Sequence, residues 1–331
     1  MELSFYWPDV HPLDSICSMA FSRSKKGWPI LVQGDQVDLV APGFRCSDEE
    51  LKGAVDFIES LGLKACVPKD LFRGHTLFSN SDEYRYQHLA SSLKSSESKA
   101  VWCLRGGYGS LRLLPKLKRL KAPRTPKVFL GYSDITSLHI FLNQSWGWST
   151  LHSPVLDRFG GGRSKPLELK EIQNILFGAK RTQEFANLKP LNELAKKRFK
   201  MEASVEGGNL AVLQSSLGTP YQVQLKGRIL FLEDIGERPH RLDRMLTHLV
   251  HSGVLSGVRA ILFGDMVLSD TLERRKIWAE VVHRFAKSQN VPMFRGLKVG
   301  HGPAQRILPL NTRSVLKGGS RPTLTLETGG N

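Results

Sequence analysis

A serine lies where a predicted strand gives way to a predicted helix in the first half of the chain. The apolar run Val128 to Leu130 leads into Gly131, Ser133 and Asp134, and a helical pattern extends from Ile135 to Leu142. A sharp turn of this kind exposes the serine Oγ and points backbone N–H groups at whatever the oxygen attacks. The run lacks the second glycine of the G-x-S-x-G pattern, so either polar side chain could instead cap the helix. The local sequence leaves a nucleophile and a helix cap as open alternatives.

A glycine-rich run follows another predicted strand, Ala100 to Leu104. The run Arg105 to Ser110 has the sequence RGGYGS. It lacks the G-x-G-x-x-G spacing of a dinucleotide loop and the lysine of a P-loop. Because glycines permit positive φ and a close approach, a backbone that comes near a reacting carbonyl is the functional interpretation of this run. A tight turn needed only for packing is the structural alternative.

Two carboxylates and a histidine lie in predicted loops of the second half. Glu233 and Asp234 come at the end of the predicted strand Arg228 to Leu232, where α/β proteins usually place active sites, and either could orient a histidine. His301 lies between two glycines in an irregular segment. A lone histidine is more often structural, but its position in such a loop makes His301 a candidate general base. With Ser133, these residues supply a nucleophile, an orienting carboxylate and a base, in the chain order serine, acid, histidine.

The other histidines and the cysteines give no pattern for a metal site. His139 and His248 fall inside predicted helices, and the pair His248 and His251 lacks further ligands. The four cysteines lie far apart without a C-x-x-C pair, which predicts free thiols in a reducing compartment. We therefore expect no metal.

Alternating strand and helix signals predict the elements that must position these residues. Val37 to Ala41 is a short apolar run typical of a buried strand, and a capping box of Ser47 and Glu50 starts a helix that Gly62 ends. The alternation continues through the first half, which indicates a Rossmann-like parallel α/β sheet carrying the nucleophile turn. In the second half, strands such as Thr323 to Glu327 predict a mixed α/β domain rich in strands.

A length of 331 residues favours two domains. Triple glycine at 160–162 and a basic passage near 195–200 interrupt the alternation between the halves. We expect four segments: an N-terminal extension at 1–30, an α/β domain carrying the nucleophile at 31–165, a connecting segment at 166–200, and a C-terminal domain carrying the acid and the histidine at 201–331.

The composition excludes several classes of protein and leaves one alternative function. With 40% hydrophobic and 24% charged residues the chain is neither disordered nor fibrous, and no run approaches the roughly 18 apolar residues of a membrane span. No signal peptide is visible, so we expect a cytoplasmic location. The net charge of +16 predicts attraction to anions. A basic nucleic-acid-binding protein is the alternative, although the sequence contains no recognised nucleic-acid module and a solvated basic face is the simpler interpretation.

In order and spacing, these motifs closely resemble the LD-carboxypeptidase family of serine peptidases, which includes murein tetrapeptide carboxypeptidases and microcin C immunity proteins. The resemblance covers roughly residues 36 to 312. Besides the runs already described, it is carried by Val40 to Pro42, Gly207 to Leu210, Gly218 to Pro220, Ile235 to Glu237 and Arg241 to Arg244. Two segments depart from the family pattern: His152-Ser153-Pro154 replaces His-Gly-Pro, and Asn311 replaces the glycine of Pro-Leu-Gly.

The resemblance implies a triad of Ser133, Glu233 and His301 at the interface between two domains. It implies hydrolysis of the bond to the terminal D-alanine of murein tetrapeptides through an acyl-enzyme, with no metal or organic cofactor. The expected ligand is a murein tetrapeptide or muropeptide, and the expected assembly is a homodimer. No membrane contact is expected.

The resemblance also suggests how the reacting carbonyl is held. The backbone amides of Asp134 and Gly107 would form the oxyanion hole, with Gly106 as the competing choice for the glycine. Gly106, Tyr108 and Asn209 are the expected substrate-binding residues. Within the family, hydrolysis of peptidyl or acyl-adenylate conjugates, as in microcin C immunity proteins, is the alternative reaction.

Overall fold

The computed structural model describes residues 26–267 and 271–329, which form three β-sheets with helices packed against them. The strands are β1 (Gln36–Val40), β2 (Lys64–Cys66), β3 (Ser98–Cys103), β4 (Val128–Gly131), β5 (Thr150–His152), β6 (Thr182–Ala186), β7 (Lys189–Pro190), β8 (Lys200–Glu202), β9 (Val205–Asn209), β10 (Ile229–Ile235), β11 (Ala260–Val267), β12 (Met293–Arg295), β13 (Leu308–Leu310), β14 (Ser314–Lys317) and β15 (Thr323–Glu327). The α-helices are α1 (Asp48–Ser60), α2 (Asp82–Lys94), α3 (Leu114–Leu117), α4 (Thr136–Phe141), α5 (Leu156–Gly160), α6 (Pro166–Leu176), α7 (Glu193–Lys196), α8 (Leu210–Ser215), α9 (Pro239–His251) and α10 (Leu272–Ser288). In this part of the chain, no helix combines the length and the apolar character that a membrane crossing requires.

The first half of the chain builds a six-stranded sheet in the order β13-β5-β4-β3-β1-β2, in which all neighbours are parallel except β13 and β5. Residues 100–103 of β3 and 128–130 of β4 are apolar and buried because both faces of the sheet are covered. In β3, Val101 packs into one apolar cluster and Trp102 into the other, and both are fully buried. The predicted Rossmann-like parallel sheet is confirmed.

The second half contributes two further sheets that share a core. The five-stranded sheet β7-β12-β11-β10-β9 is parallel except at β7, and the sheet β6-β15-β14-β8 is antiparallel. One face of the five-stranded sheet packs on α8, α9 and α10, and its other face packs on the antiparallel sheet, where Phe231 and Phe294 share a cluster with Leu324. This arrangement confirms the predicted mixed α/β character.

Helix α1 begins and ends where its sequence predicts. The Ser47 hydroxyl accepts the Glu50 N–H at 3.1 Å, and the Glu50 carboxylate accepts the Ser47 N–H at 3.0 Å, which completes the capping box. At the other end, Gly62 has a φ of +77°, which permits the turn into β2.

The segment 166–200, predicted to connect the domains, is folded into both of them. Helix α6 buries Ile172 and Leu176 in a core of the first sheet, while β6 and β7 belong to the two second-half sheets. The charged outer face of this amphipathic helix makes it resemble a solvated linker in the sequence.

The chain also crosses between the halves at one other place, and the predicted N-terminal extension contributes to a core. Strand β13, beyond the histidine, pairs with β5 and so returns to the first sheet. Residues 1–25 of the predicted N-terminal extension lie outside the described residues, but Trp28 is 1% exposed in a first-sheet core. The two halves of the molecule are therefore not separated by a single boundary in the sequence.

We predict that Gly53→Ala destabilises the protein because α1 and α5 touch at paired glycines. A Cβ on Gly53 would lie 2.3 Å from the Gly160 carbonyl oxygen. We expect the free energy of unfolding in urea to fall by about 1 to 3 kcal/mol, although alanine is normally the better helix former by about 1 kcal/mol. Gly74→Ala, where a Cβ meets no atom within 4 Å, is the matched control and should be close to neutral. Equal stability of the two variants would contradict this packing argument.

Candidate active site

Ser133 lies on a strained turn at the carboxyl end of β4. Its φ is +65°, a left-handed conformation that costs a non-glycine residue on the order of 1 kcal/mol or more. The turn is a 3-10 segment, Ser133–Ile135, followed by α4, and no side chain caps either piece. The helix-cap alternative for Ser133 and Asp134 is therefore not what the structure contains.

Two groups hold the backbone immediately before this turn. The Gly131 carbonyl accepts the Ser153 N–H at 3.0 Å and lies 2.9 Å from His139 Nε2. Burial lowers the pKa of His139 to about 4, so the ring is neutral at neutral pH, and its Nε2 must carry the hydrogen because a carbonyl only accepts. His139 is thus a support of the serine turn.

The glycine-rich loop after β3 packs directly on this turn. A Cβ on Gly106 would lie 2.8 Å from Ser133 Cβ and 3.1 Å from its Oγ, so the close approach requires glycine. The Asp134 carboxylate reaches back to accept the Ser110 N–H at 2.8 Å. The loop stands at the end of β3 beside β1, where the order of the sheet reverses, which is the usual place for a binding crevice in such sheets.

Arg85, a buried arginine that the sequence analysis did not single out, packs against the glycine-rich loop. The Arg85 guanidinium donates to the Pro42 carbonyl and pairs with Asp82 at 2.5 Å. A Cβ on Gly109 would lie 2.5 Å from Arg85 Nη1. Tyr108, in contrast, is 45% exposed, with its ring 5.6 Å from that of Phe78.

Glu233 and His301 meet although they lie far apart in the sequence. His301 Nδ1 lies 2.7 Å from Glu233 Oε2, and the glutamate, at the end of β10, has no solvent exposure. Gly300 has a φ of +120°, and a Cβ on it would lie 2.6 Å from the same oxygen. The His301 ring stands 4.6 Å from that of Tyr132, the residue before Ser133. The structure therefore brings Glu233 and His301 into contact and places the His301 ring against the residue that precedes Ser133.

Helix α6 fixes the segment that follows His301. Glu168 accepts the Gln305 N–H at 3.0 Å, and Glu171 accepts the Ile307 N–H at 2.9 Å. Glu171 also pairs with the Arg306 guanidinium at 2.9 Å. The two carboxylates are buried, so they tie the histidine segment firmly to the first half of the molecule.

Asp265 is a second carboxyl beside the histidine, which the sequence analysis missed. It follows the buried core of β11, and its carboxyl lies so close to Gly302 that a Cβ there would be 2.3 Å from Oδ2. Burial, with a smaller contribution from the charge of Glu233, raises the pKa of Asp265 to about 6. The sequence signal that could have identified Asp265 is the one that points to Glu233. Each is a carboxylate near the end of a buried strand, and the two strands are neighbours.

Asn209 has different partners from those expected of a substrate-binding residue. It is 5% exposed, its Nδ2 donates to Asp234 at 3.1 Å, and its Oδ1 accepts the Val212 N–H at 3.1 Å as the cap of α8. Its backbone N–H donates to Thr136 Oγ1 at 2.9 Å across the two halves. These contacts make it a structural link between β9, α4 and the neighbour of Glu233. Burial raises the pKa of Asp234 to about 6.

Within 26–267 and 271–329, no group of three or more His, Cys, Asp or Glu side chains is arranged to hold a metal ion. The side chains at the site supply a hydroxyl, an imidazole and carboxylates. The exposed turn, the close glycine backbone and the buried acid-histidine pair together suit nucleophilic attack on a carbonyl.

Comparison with known proteins gives the family. The model of the LD-carboxypeptidase N-terminal domain matches residues 37–153, and that of the C-terminal domain matches residues 202–316. The chain belongs to the LD-carboxypeptidase family. It is accordingly an enzyme of the carboxypeptidase type, and Ser133 lies in the first matched domain while Glu233 and His301 lie in the second.

Two relatives and one solved structure are similar to this chain over most of its length. A Rickettsia conorii protein named as a carboxypeptidase is 39% identical over 282 residues, which are 85% of this chain and 87% of that protein. The probable murein peptide carboxypeptidase of Bacillus subtilis is 33% identical over 302 residues, covering 90% and 93% of the two chains. The crystal structure of muramoyltetrapeptide carboxypeptidase from Oxalobacter formigenes superposes with a TM-score of 0.78 at 24% identity, covering 89% of this chain and 100% of that one.

We predict that Gly106→Ala lowers carboxypeptidase kcat by about 100-fold, because its Cβ would displace Ser133 and a misplacement of about 1 Å costs roughly that factor. The measurement is steady-state peptide hydrolysis, with the melting temperature as a check on folding. Gly74→Ala, which adds the same methyl group in open space, should retain wild-type kcat. Full activity of Gly106→Ala would show that the loop does not constrain the serine.

We predict that Asp265→Asn changes the pH dependence of stability. The folded-state pKa of about 6 lies above the ordinary 3.8, so the wild-type carboxyl contributes stability at low pH that is lost as the pH rises through 6. Asparagine does not titrate. Between pH 4 and pH 7, the free energy of unfolding of the variant in urea should therefore rise relative to that of wild type by on the order of 2 kcal/mol. A difference that is constant with pH would contradict the burial of this charge.

Proposed function

We propose that this protein is a serine-type LD-carboxypeptidase in which Ser133 is the nucleophile, His301 the general base and Glu233 the residue that orients it. The 2.7 Å contact between His301 and the fully buried Glu233, beside a serine held at positive φ, carries this proposal. The order serine, glutamate, histidine along the chain is the same as in the α/β-hydrolase type of triad.

The proposed reaction begins with attack of Ser133 Oγ on the amide carbonyl. His301 Nε2 accepts the hydroxyl proton, and Glu233 stabilises the imidazolium through Nδ1–H. The proton then passes to the nitrogen of the leaving amino acid, whose bond to the carbonyl carbon breaks to give an acyl-enzyme. Water, deprotonated by the same histidine, releases the shortened peptide and regenerates the serine.

The oxyanion that forms on the carbonyl needs donors that are already in place. We assign this role to the backbone N–H groups of Asp134 and Gly107, because the loop that carries the glycine packs on the serine turn. Gly107 has a φ of +91°, and the ring of Phe44 occupies the place of its missing Cβ, which fixes the loop conformation. Each such donor is typically worth about 3 to 4 kcal/mol of transition-state stabilisation. Gly106 remains the alternative donor.

For the substrate, we propose the bond to the terminal D-alanine of murein tetrapeptides, in recycling or remodelling of peptidoglycan. The names of the Bacillus subtilis and Oxalobacter formigenes proteins support this choice of substrate. The net charge of +16 favours a stem peptide bearing several carboxylates. Gly106 and the exposed Tyr108 would contact the peptide, whereas Asn209 would act by holding Asp234.

We also propose a homodimer in the cytoplasm as the working state. Family resemblance supports the dimer. Cys46, Cys66 and Cys103 are free thiols, which agrees with a reducing compartment.

The decisive experiment measures D-alanine release from tetrapeptide and pentapeptide stems. We expect release from the tetrapeptide alone, and no release from the tetrapeptide would refute the proposed substrate. A peptidyl-adenylate conjugate tests the alternative reaction, for which Tyr108 offers an exposed ring for stacking. DNA binding measured against salt concentration tests the nucleic-acid alternative.

The proposed triad predicts a non-additive mutant series. Ser133→Ala and His301→Ala should each lower kcat by about 10⁴ to 10⁶, and the double mutant should be little worse, because the groups act as one unit. Circular dichroism should show that both variants are folded. Ser133→Ala should melt within a few degrees of wild type, whereas His301→Ala should melt at a lower temperature because it leaves the buried Glu233 without its partner. Losses of only a few fold would show that these residues are not the reacting groups.

A further inference from the structure

Glu233 has one carboxylate oxygen that its contact with His301 does not use. That oxygen, Oε1, is inaccessible to solvent and has no hydrogen-bond partner in the described part of the chain. Leaving a buried polar atom unpaired is costly, and the cost is greater for a charged group. Such an atom in an active site calls for an explanation.

A second buried histidine lies close to this oxygen. His152 is the last residue of β5 and is 1% exposed, and its Nε2 lies 3.9 Å from Glu233 Oε1. This nitrogen also lacks a hydrogen-bond partner among the residues described. In the sheet, His152 stands opposite Gly131, two residues before the serine. Two unsatisfied polar atoms therefore face each other across a short gap behind the site.

The protonation state of His152 determines whether these two atoms can form a hydrogen bond. Burial, with smaller contributions from His139 and His301 and against the opposing effect of a hydrogen bond to its own backbone, holds the pKa of His152 well below its usual value, so the ring is neutral. A neutral imidazole carries its hydrogen on one nitrogen only. The tautomer with the hydrogen on Nε2 presents a donor to the carboxylate, whereas the other tautomer would set a lone pair against a negative oxygen.

The surrounding side chains keep this ring directed at Glu233. Phe231 packs against the His152 ring edge to face, with centroids 5.2 Å apart, and Tyr132 does the same at 5.9 Å. An N–H···O bond needs a separation of about 2.9 Å, so closing the gap takes a movement of about 1 Å. A small rotation of either side chain provides that movement.

We propose that His152 is a positioning residue of the triad: its Nε2–H donates to Glu233 Oε1, so that the carboxylate is held on both sides and its Oε2 remains aimed at His301. This inference depends on the triad proposed above. A carboxylate bonded through one oxygen can rotate about its terminal bond, and a second donor removes that freedom. The acid would then be fixed before the imidazolium forms.

The test compares two substitutions that differ in one property. His152→Phe keeps a ring of similar size among Phe231 and Tyr132 but has no donor, whereas His152→Gln keeps an N–H at a similar reach. The readouts are kcat and KM for tetrapeptide hydrolysis and the rate at which a fluorophosphonate labels Ser133. We expect His152→Phe to lower kcat and the labelling rate by about 10- to 100-fold with little change in KM, and His152→Gln to restore most of the loss.

Nuclear magnetic resonance of ¹⁵N-histidine-labelled wild-type protein gives a test that needs no variant and no substrate. We expect His152 to be neutral with its hydrogen on Nε2, and we expect a downfield proton from the bond between His301 and Glu233 that shifts in His152→Phe. Finding the hydrogen of His152 on Nδ1 would overturn the proposal, even if the phenylalanine variant did not fold.

Other outcomes also separate the two proposals. Equal losses in the phenylalanine and glutamine variants, with lowered melting temperatures, would assign His152 to packing alone and overturn its positioning role. Activity of His152→Phe within twofold of wild type would do the same. Failure of the fluorophosphonate to label wild-type Ser133 would instead refute the proposed nucleophile, while the resonance of His152 still reports its contact with Glu233.

Discussion

A carboxylate without access to water needs donors from the protein, and Glu233 is such a group. It lies near the end of a strand whose preceding residues are all buried, and it has no solvent exposure itself. The contact with His301 satisfies one of its oxygens. Because an unpaired charge in this place would cost several kcal/mol, the acid and the histidine must be brought together for the fold to be stable. The proposed catalytic pair is therefore also a structural requirement.

Much of the architecture serves to present His301 to the first half of the molecule. The segment after the histidine is clamped by Glu168 and Glu171 of α6, and it then enters the first sheet as β13. Thr136 of α4 bonds the backbone of Asn209 at the end of β9. The two halves are thus interlocked on both sides of the site. The proposed division of nucleophile and base between two domains needs such rigid connections, since misplacement by about 1 Å is costly for catalysis.

The electrostatics of the site follow from the burial of several acids in one region. Asp234 and Asp265 both have pKa values raised to about 6 by burial, and the charge of Glu233 adds to each. Burial thus disfavours the ionised form of both aspartates, and the negative charge of Glu233 disfavours it further.

The sequence by itself determined the features that depend on neighbours within a few residues. The capping box of α1, the parallel sheet and the serine turn follow from periodicity, caps and glycine placement, and the motif order indicated Ser133, Glu233 and His301. Only the tertiary structure decided which distant groups meet. Glu168 bonds Gln305 across 137 positions, and His152 faces Glu233 from another sheet. The sequence predicts that segment 166–200 connects the domains, yet this segment contributes a helix to the core of the first sheet and strands to both second-half sheets. Local patterns carry no information about such partners, because the contact is created by the packing of elements whose relative positions no short run of residues encodes.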